Sequence, residues 1–154
     1  MEKSKAEVWM RAALAEAKKA SLADEVPVGA VVVLDDEIIS SAHNEVEALN
    51  DATAHAEILA IRRAGEKLAA WRLSEASLFV TLEPCTMCIG ACVLSRIKNL
   101  YFGAYDERQG AVGSIYDLSN HEQLPKSINV YPEVLAEESA RLLREFFGGI
   151  RGKR

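Results

Sequence analysis

At 154 residues the chain has room for one domain, and 49% hydrophobic against 27% charged residues is ordinary globular make-up. No apolar run approaches the roughly 20 residues of a membrane span, and Met1-Glu2-Lys3-Ser4-Lys5 leads into no apolar signal core, which together place the chain in the cytoplasm. A net charge of −5 excludes a broadly basic surface, so any binding of nucleic acid has to come from a local basic patch.

Ser4 to Ala20 repeats Ala6, Trp9, Ala13 and Ala17 at helical spacing, which predicts a helix with that face inward. Val26 to Leu34 is a nearly continuous, valine-rich apolar run, expected as a central strand covered on both faces. Asp35-Asp36 turns it into a second strand, Glu37 to Ala42. A polar loop, His43 to Asp51, precedes a helix from Ala54 to about Leu68, with Thr53 as N-cap and Ile58, Ile61 and Leu68 inside. Trp71 to Ala76 is a connection in which Trp71 is expected to pack. Ser77 to Leu82 reads as a strand, Cys85 to about Ser95 as a helix and Asn99 to Gly103 as a strand, a unit that gives parallel pairing. Ala104 to Pro125 reads as loop and short turns. Ile128 to Tyr131 is a last strand and Glu133 to Phe147 a closing helix with Leu135, Leu142 and Phe146 on one stripe. The whole is a single domain over residues 1–154, with about 148–154 as a loose basic tail. Alternating strands and helices predict an α/β fold of three layers, the sheet between helices. In such folds the site lies off the carboxyl ends of the strands, where Ala42, Leu82 and Gly103 deliver the loops carrying Asn44, Cys85 and Asp106.

The chemistry is concentrated in His55-Ala56-Glu57 and Pro84-Cys85-Thr86-Met87-Cys88. All three cysteines fall between positions 85 and 92, which favours a metal over a disulfide framework. One imidazole and two thiolates, from His55, Cys85 and Cys88, make a three-ligand zinc set with a fourth position for water, one ion per subunit. Cys85 and Cys88 share a face on the first turn of a helix, and Pro84 suits its start. His55 and Glu57 are too close in sequence to share a face in mid-helix, so they meet one water only at a helix end. Zinc would supply a hydroxide nucleophile that attacks the amine-bearing carbon of a ring, with Glu57 as proton shuttle rather than ligand. H-x-E followed by P-C-x-x-C is the pattern of the zinc deaminases. A structural zinc closed by Cys92, His43 or His121 is the bland alternative, and a thioredoxin-like redox pair would leave His55 and Glu57 without a role. Cys92 reads as a small buried hydrophobe.

Across nearly its whole length the chain resembles the bacterial tRNA-specific adenosine deaminases of the cytidine deaminase superfamily. The resemblance is carried by Val26-Pro27-Val28-Gly29-Ala30-Val31, Thr53-Ala54-His55-Ala56-Glu57, Thr81-Leu82-Glu83-Pro84-Cys85, Ser95-Arg96-Ile97, Phe102-Gly103-Ala104 and Gly110-Ala111-Val112-Gly113-Ser114. It implies a five-stranded mixed sheet, a homodimer, and conversion of the wobble adenosine of a tRNA anticodon stem-loop to inosine, the base being flipped into the zinc pocket. By position it implies Asn44 as a hydrogen-bonding partner of the base and Asp106 at the pocket mouth near the sugar. Read without the family, Asn44 is a turn residue and Asp106 a loop acid. The tail, with Arg141 and Arg144, is the expected phosphate-facing patch. Two other functions fit the same residues: deamination of free guanine, cytosine or cytidine, and a non-catalytic zinc-containing RNA-binding subunit.

Overall fold

A computed structural model describes residues 1–120, 122–124 and 128–152, without the side chains of 150–152. Five strands form one mixed sheet in the order β2-β1-β3-β4-β5: β1 (Gly29–Leu34), β2 (Glu37–His43), β3 (Ser77–Leu82), β4 (Asn99–Ala104) and β5 (Asn129–Tyr131). β1 runs antiparallel to both β2 and β3, whereas β3, β4 and β5 are parallel. The carboxyl ends of β2, β3 and β4 therefore share one edge, as expected.

The apolar runs resolve into two cores because side chains alternate across a strand. Ala30, Val32, Leu78, Val80, Leu100 and Phe102 face α3 (Ala56–Leu68) and α4 (Thr86–Leu94), meeting Leu59, Ala60, Ile89, Cys92 and Val93. Val31, Val33, Phe79 and Tyr101 face the other way, onto Met10, Ala13 and Leu14 of α1 (Lys3–Leu22) and Leu142 of α5 (Ala136–Gly152). On that face Phe79, Tyr101 and Tyr131 stack across three strands, with ring centroids 4.3 and 4.5 Å apart. The hairpin turns through Asp35 and Asp36, both left-handed, the geometry that matches strand twist.

Several elements differ from the sequence reading. β1 begins at Gly29 rather than Val26, because Pro27 has no N–H to give the ladder. A short helix, α2 (Val46–Leu49), lies inside the expected polar loop. α3 begins two residues later than expected and its N-cap is His55; Thr53 instead donates its hydroxyl to Asp51 at 2.7 Å. Its buried face is Ala56, Leu59, Ala60 and Ala64, mostly small side chains that pack against the sheet, while Ile58 and Ile61 are half-buried and Leu68 is exposed. Pro84 precedes the N-cap of α4, Cys85, instead of occupying its first turn. Trp71 does not pack inside: it is 58% exposed, with the Arg72 guanidinium 4.4 Å from its ring centre. Glu133 and Leu135 take left-handed conformations that delay the closing helix to Ala136. That helix then runs on through Gly148-Gly149 to Gly152, since neither glycine adopts positive φ. Lys153 and Arg154 of the expected tail, and His121, lie outside the described residues.

α1 crosses β1 in backbone contact at Gly29, where a Cβ would sit 2.0 Å from the Ala13 carbonyl oxygen and 2.4 Å from the Ala17 nitrogen. Gly29→Ala is expected to lower stability by about 1–3 kcal/mol through forced separation of helix and sheet, measured by urea unfolding.

Candidate active site

The sequence enters two helices on residues whose side chains are able to ligate a metal. His55 is the N-cap of α3 and Cys85 the N-cap of α4, both in extended conformation and neither using its side chain to cap its own helix. Cys88 lies one turn into α4. His55 Nδ1 is 3.6 Å from Cys85 Sγ and 3.5 Å from Cys88 Sγ, and the three donor atoms all lie within 4.8 Å of one another. Zinc bonds of ~2.0 Å to nitrogen and ~2.3 Å to sulfur at a tetrahedral angle place such atoms roughly 3.6 Å apart. The donor set and its spacing therefore fit a zinc ion. Among the described residues no fourth ligand joins the group. Cys92 is fully buried in the apolar core as expected, and His43 pairs with Glu16 at 3.3 Å.

Electrostatics divides the labour. The neighbouring Cys88 thiol, outweighing the opposing effect of burial and helped by His55, holds the Cys85 thiol down to about 4. Cys85 and burial push Cys88 up, so Cys85 is the first of the pair to ionise. The hydrogen bond with Cys85 raises the His55 imidazole against the effect of its burial. Glu57, 4% exposed on the first turn of α3, is pushed up to about 7 by burial, against the pull of its own backbone N–H and of His55. A carboxyl poised near neutral pH beside a thiolate–imidazole group is equipped to accept and return a proton.

Three segments wall the site. Asn44, 9% exposed, follows β2; its amide donates to the Val26 carbonyl at 3.3 Å and its oxygen accepts from Val46 N–H at 3.1 Å. The buried Glu25 carboxylate accepts Glu47 and Ala48 N–H at 2.9 and 2.8 Å, fixing α2 beside it. Asp106 follows β4, and one of its carboxylate oxygens accepts from Arg108 and Gln109 N–H at 3.1 and 3.3 Å, which turns the loop. A cavity of about 310 Å³ lies in front of Cys85, Thr86 and Met87, closed by Arg108, Gln109, Ile115 and Tyr116. The Tyr116 and Thr86 hydroxyls are 2.5 Å apart across it. Glu25, Glu83 and Tyr116 were not identifiable as site residues from sequence. The one signal was a lone acid, Glu83, ending the apolar strand run just before Pro84-Cys85.

A mixed five-stranded sheet carrying a His/Cys/Cys group and a buried acid at the carboxyl edge defines the cytidine-deaminase-like class of hydrolytic deaminases. Residues 4–147 match the MafB19-like deaminase family. The chain belongs to the tRNA-specific adenosine deaminase family: it is 45% identical over 148 residues to the tRNA-specific adenosine deaminase of Bacillus subtilis, covering 96% of this chain and 92% of that one. A solved tRNA:A34 deaminase, studied for A-to-I editing at the wobble position of transfer RNA, superposes with a TM-score of 0.85 at 46% identity, covering 88% of this chain and 99% of that one. A guanine deaminase from Nitrosomonas europaea is more distant, with a TM-score of 0.75 at 27% identity over 92% of this chain and 84% of that one. The protein is thus a hydrolytic deaminase. No described helix is long and apolar enough to cross a membrane.

The raised Glu57 carboxyl carries a consequence for folding. Its folded pKa of about 7 exceeds the ordinary 4.5, so it adds stability to the metal-free protein below about pH 4.5, and that stability is lost as pH rises through about 7. Glu57→Gln, which cannot ionise, should stabilise chelator-treated protein by on the order of 3 kcal/mol at pH 8 and by little at pH 5, measured by urea unfolding at both.

Proposed function

We propose that the protein deaminates the wobble adenosine of a tRNA anticodon stem-loop to inosine, with one zinc ion per subunit held by His55, Cys85 and Cys88. The observation that carries the chemistry is the ligand-spaced His/Cys/Cys group beside a buried carboxyl held near 7. When bound, zinc supplies a Lewis acid that brings the pKa of a water down toward roughly 7. Glu57 takes one proton from the attacking water and delivers it to the ring nitrogen, then carries the second from the new hydroxyl to the amine, which leaves as ammonia as the carbonyl of inosine forms. The N-termini of α3 and α4 favour negative charge developing between them. Asn44, its amide fixed by Val26 and Val46, orients the base, and Asp106 stands at the mouth near the sugar. An anticodon loop presents its base unpaired, so extrusion costs little. The family relationship supports tRNA as substrate, and a cytoplasmic setting goes with it.

The test is direct. Purified protein is incubated with an anticodon stem-loop and, separately, with guanine, cytosine and cytidine. Inosine should form in the RNA alone; turnover of a free base without the RNA would replace the reading with that of a free-base deaminase. Glu57→Ala is expected to retain zinc and lose turnover by ~10²–10⁴-fold, the usual worth of a positioned acid–base group. Loss of metal in that variant would make Glu57 a ligand or structural prop instead, and full activity would remove it as the proton shuttle.

We also propose that the protein works as a homodimer. Support comes from a shallow apolar groove of about 690 Å³ between α3 and α4, lined by Ile61, Ala69, Ala70, Trp71 and Leu94. Leu94 is 68% exposed, and Arg62 and Glu66 flank the groove with opposite charge. A two-fold axis would set each against its opposite on the second copy. Leu94→Glu should halve the mass seen by light scattering; an unchanged mass would move the interface elsewhere.

A further inference from the structure

The segment 105–116, which walls the cavity, has almost no regular structure of its own beyond one bridge between Val112 and Asp117. Its own turns are tied back to the sheet by Ala111 N–H, which donates to the Pro84 carbonyl at 2.9 Å, and by one buried carboxylate outside it. Glu83, 2% exposed at the end of β3, sends its carboxylate into the loop. One oxygen accepts Asp106 N–H at 2.9 Å and the Ser114 hydroxyl in a very short contact. The other accepts Val112 N–H at 2.9 Å and Ser114 N–H at 3.0 Å. Gly110 packs directly on the carboxylate, and a Cβ there would lie 2.3 Å from Glu83 Cδ. The loop is thus folded round one buried anion, and its outward residues Arg108, Gln109, Ile115 and Tyr116 face Cys85, Thr86 and Met87 across the cavity.

We infer that Glu83 is a positioning residue: it pins the 105–116 loop to the strand that ends at the cysteine ligands, and so sets the width of the substrate pocket without touching substrate or metal. Both carboxylate oxygens are fully occupied by N–H and hydroxyl donors, which leaves none to hold a reacting proton. The neutral amide of glutamine has the same shape yet presents an NH₂ where two donors already point, so at least one bond at that end becomes a repulsion. The pinned wall, not the ligand group, is what such a change loosens. For the substrate, this inference rests on the RNA deaminase reading above.

Zinc-loaded Glu83→Gln is compared with the parent protein in two measurements. In limited trypsin digestion, cleavage after Arg108, at the exposed tip of the loop, should quicken by about tenfold or more, the loss of one charge-assisted hydrogen bond. Cleavage after Arg63, in the middle of α3, should not change. In steady-state kinetics on the stem-loop, KM should rise by a similar factor while kcat stays within about threefold and zinc content remains one per chain. Ser114→Ala removes one of the four donors and should shift both readouts the same way by less, which keeps the inference testable if Glu83→Gln folds poorly. Unchanged cleavage after Arg108, a fall in kcat at constant KM, loss of zinc, or equal acceleration at Arg63 and Arg108 in both variants would each overturn it. If the parent protein leaves the stem-loop unmodified, the substrate reading fails, and the digestion still decides whether Glu83 pins the loop.

Discussion

Everything at the functional edge depends on two helices beginning at the same place. α3 and α4 each start on a residue of the His/Cys/Cys group, His55 and Cys85, and the sheet between the two cores sets how close those starts come. The unpaired N–H groups of two first turns make that corner of the protein favourable for anions before any ion is present. Within that corner the Cys88 thiol, outweighing burial and helped by His55 and the Cys88 N–H, holds the Cys85 thiol down to about 4. Strand pairing supplies the precision: β3 delivers Cys85 from a register fixed on one side by β1 and on the other by β4, so the metal group inherits the rigidity of the sheet centre.

The overall charge of −5 does not by itself decide against an RNA substrate, because part of the acid lies away from solvent. Glu25, Glu57 and Glu83 are buried, while the cavity wall that faces solvent carries Arg108. On the distal helix, Arg144 is paired with Glu137 at 2.7 Å. A phosphate approaching that helix must displace this exposed pair, a small cost by the usual worth of surface ion pairs. Local arrangement, not the sum of charges, decides what such a surface attracts.

The sequence exposed those features that follow from local periodicity or short-range ligand spacing. The alternation of Ala30, Val31, Val32 and Val33 across β1, the double-aspartate turn and the His/Cys/Cys group were all legible, since each is dictated within a few residues. What failed was phase and long-range contact. Along α3 the large apolar side chains do not mark the buried face: small Ala56, Ala60 and Ala64 lie inside with Leu59, and Leu68 at the last turn is exposed. Trp71 is large and apolar, but whether it is covered depends on neighbours from α4 that no local pattern reveals. The 105–116 loop was opaque for a similar reason: besides its local turns, four of its hydrogen bonds run to Glu83, more than twenty residues upstream.

The three buried glutamates show where this fold concentrates its cost. Glu25 meets two backbone N–H groups, and Glu83 meets three and a hydroxyl, so the carboxylate form is well solvated by the protein itself. At Glu83 burial works against the charge, but the bonds from Ser114, Asp106 and Val112 outweigh it and hold the carboxyl below its usual range. Glu57 is as deeply buried, yet only its own N–H and the Cys88 thiol bond to it, and burial wins. A carboxylate satisfied on all sides is a structural anchor; one left short of donors can change protonation at neutral pH. Sequence composition counts these three residues alike, and hydrogen bonding separates two anchors from the one of them whose carboxyl is held near neutral.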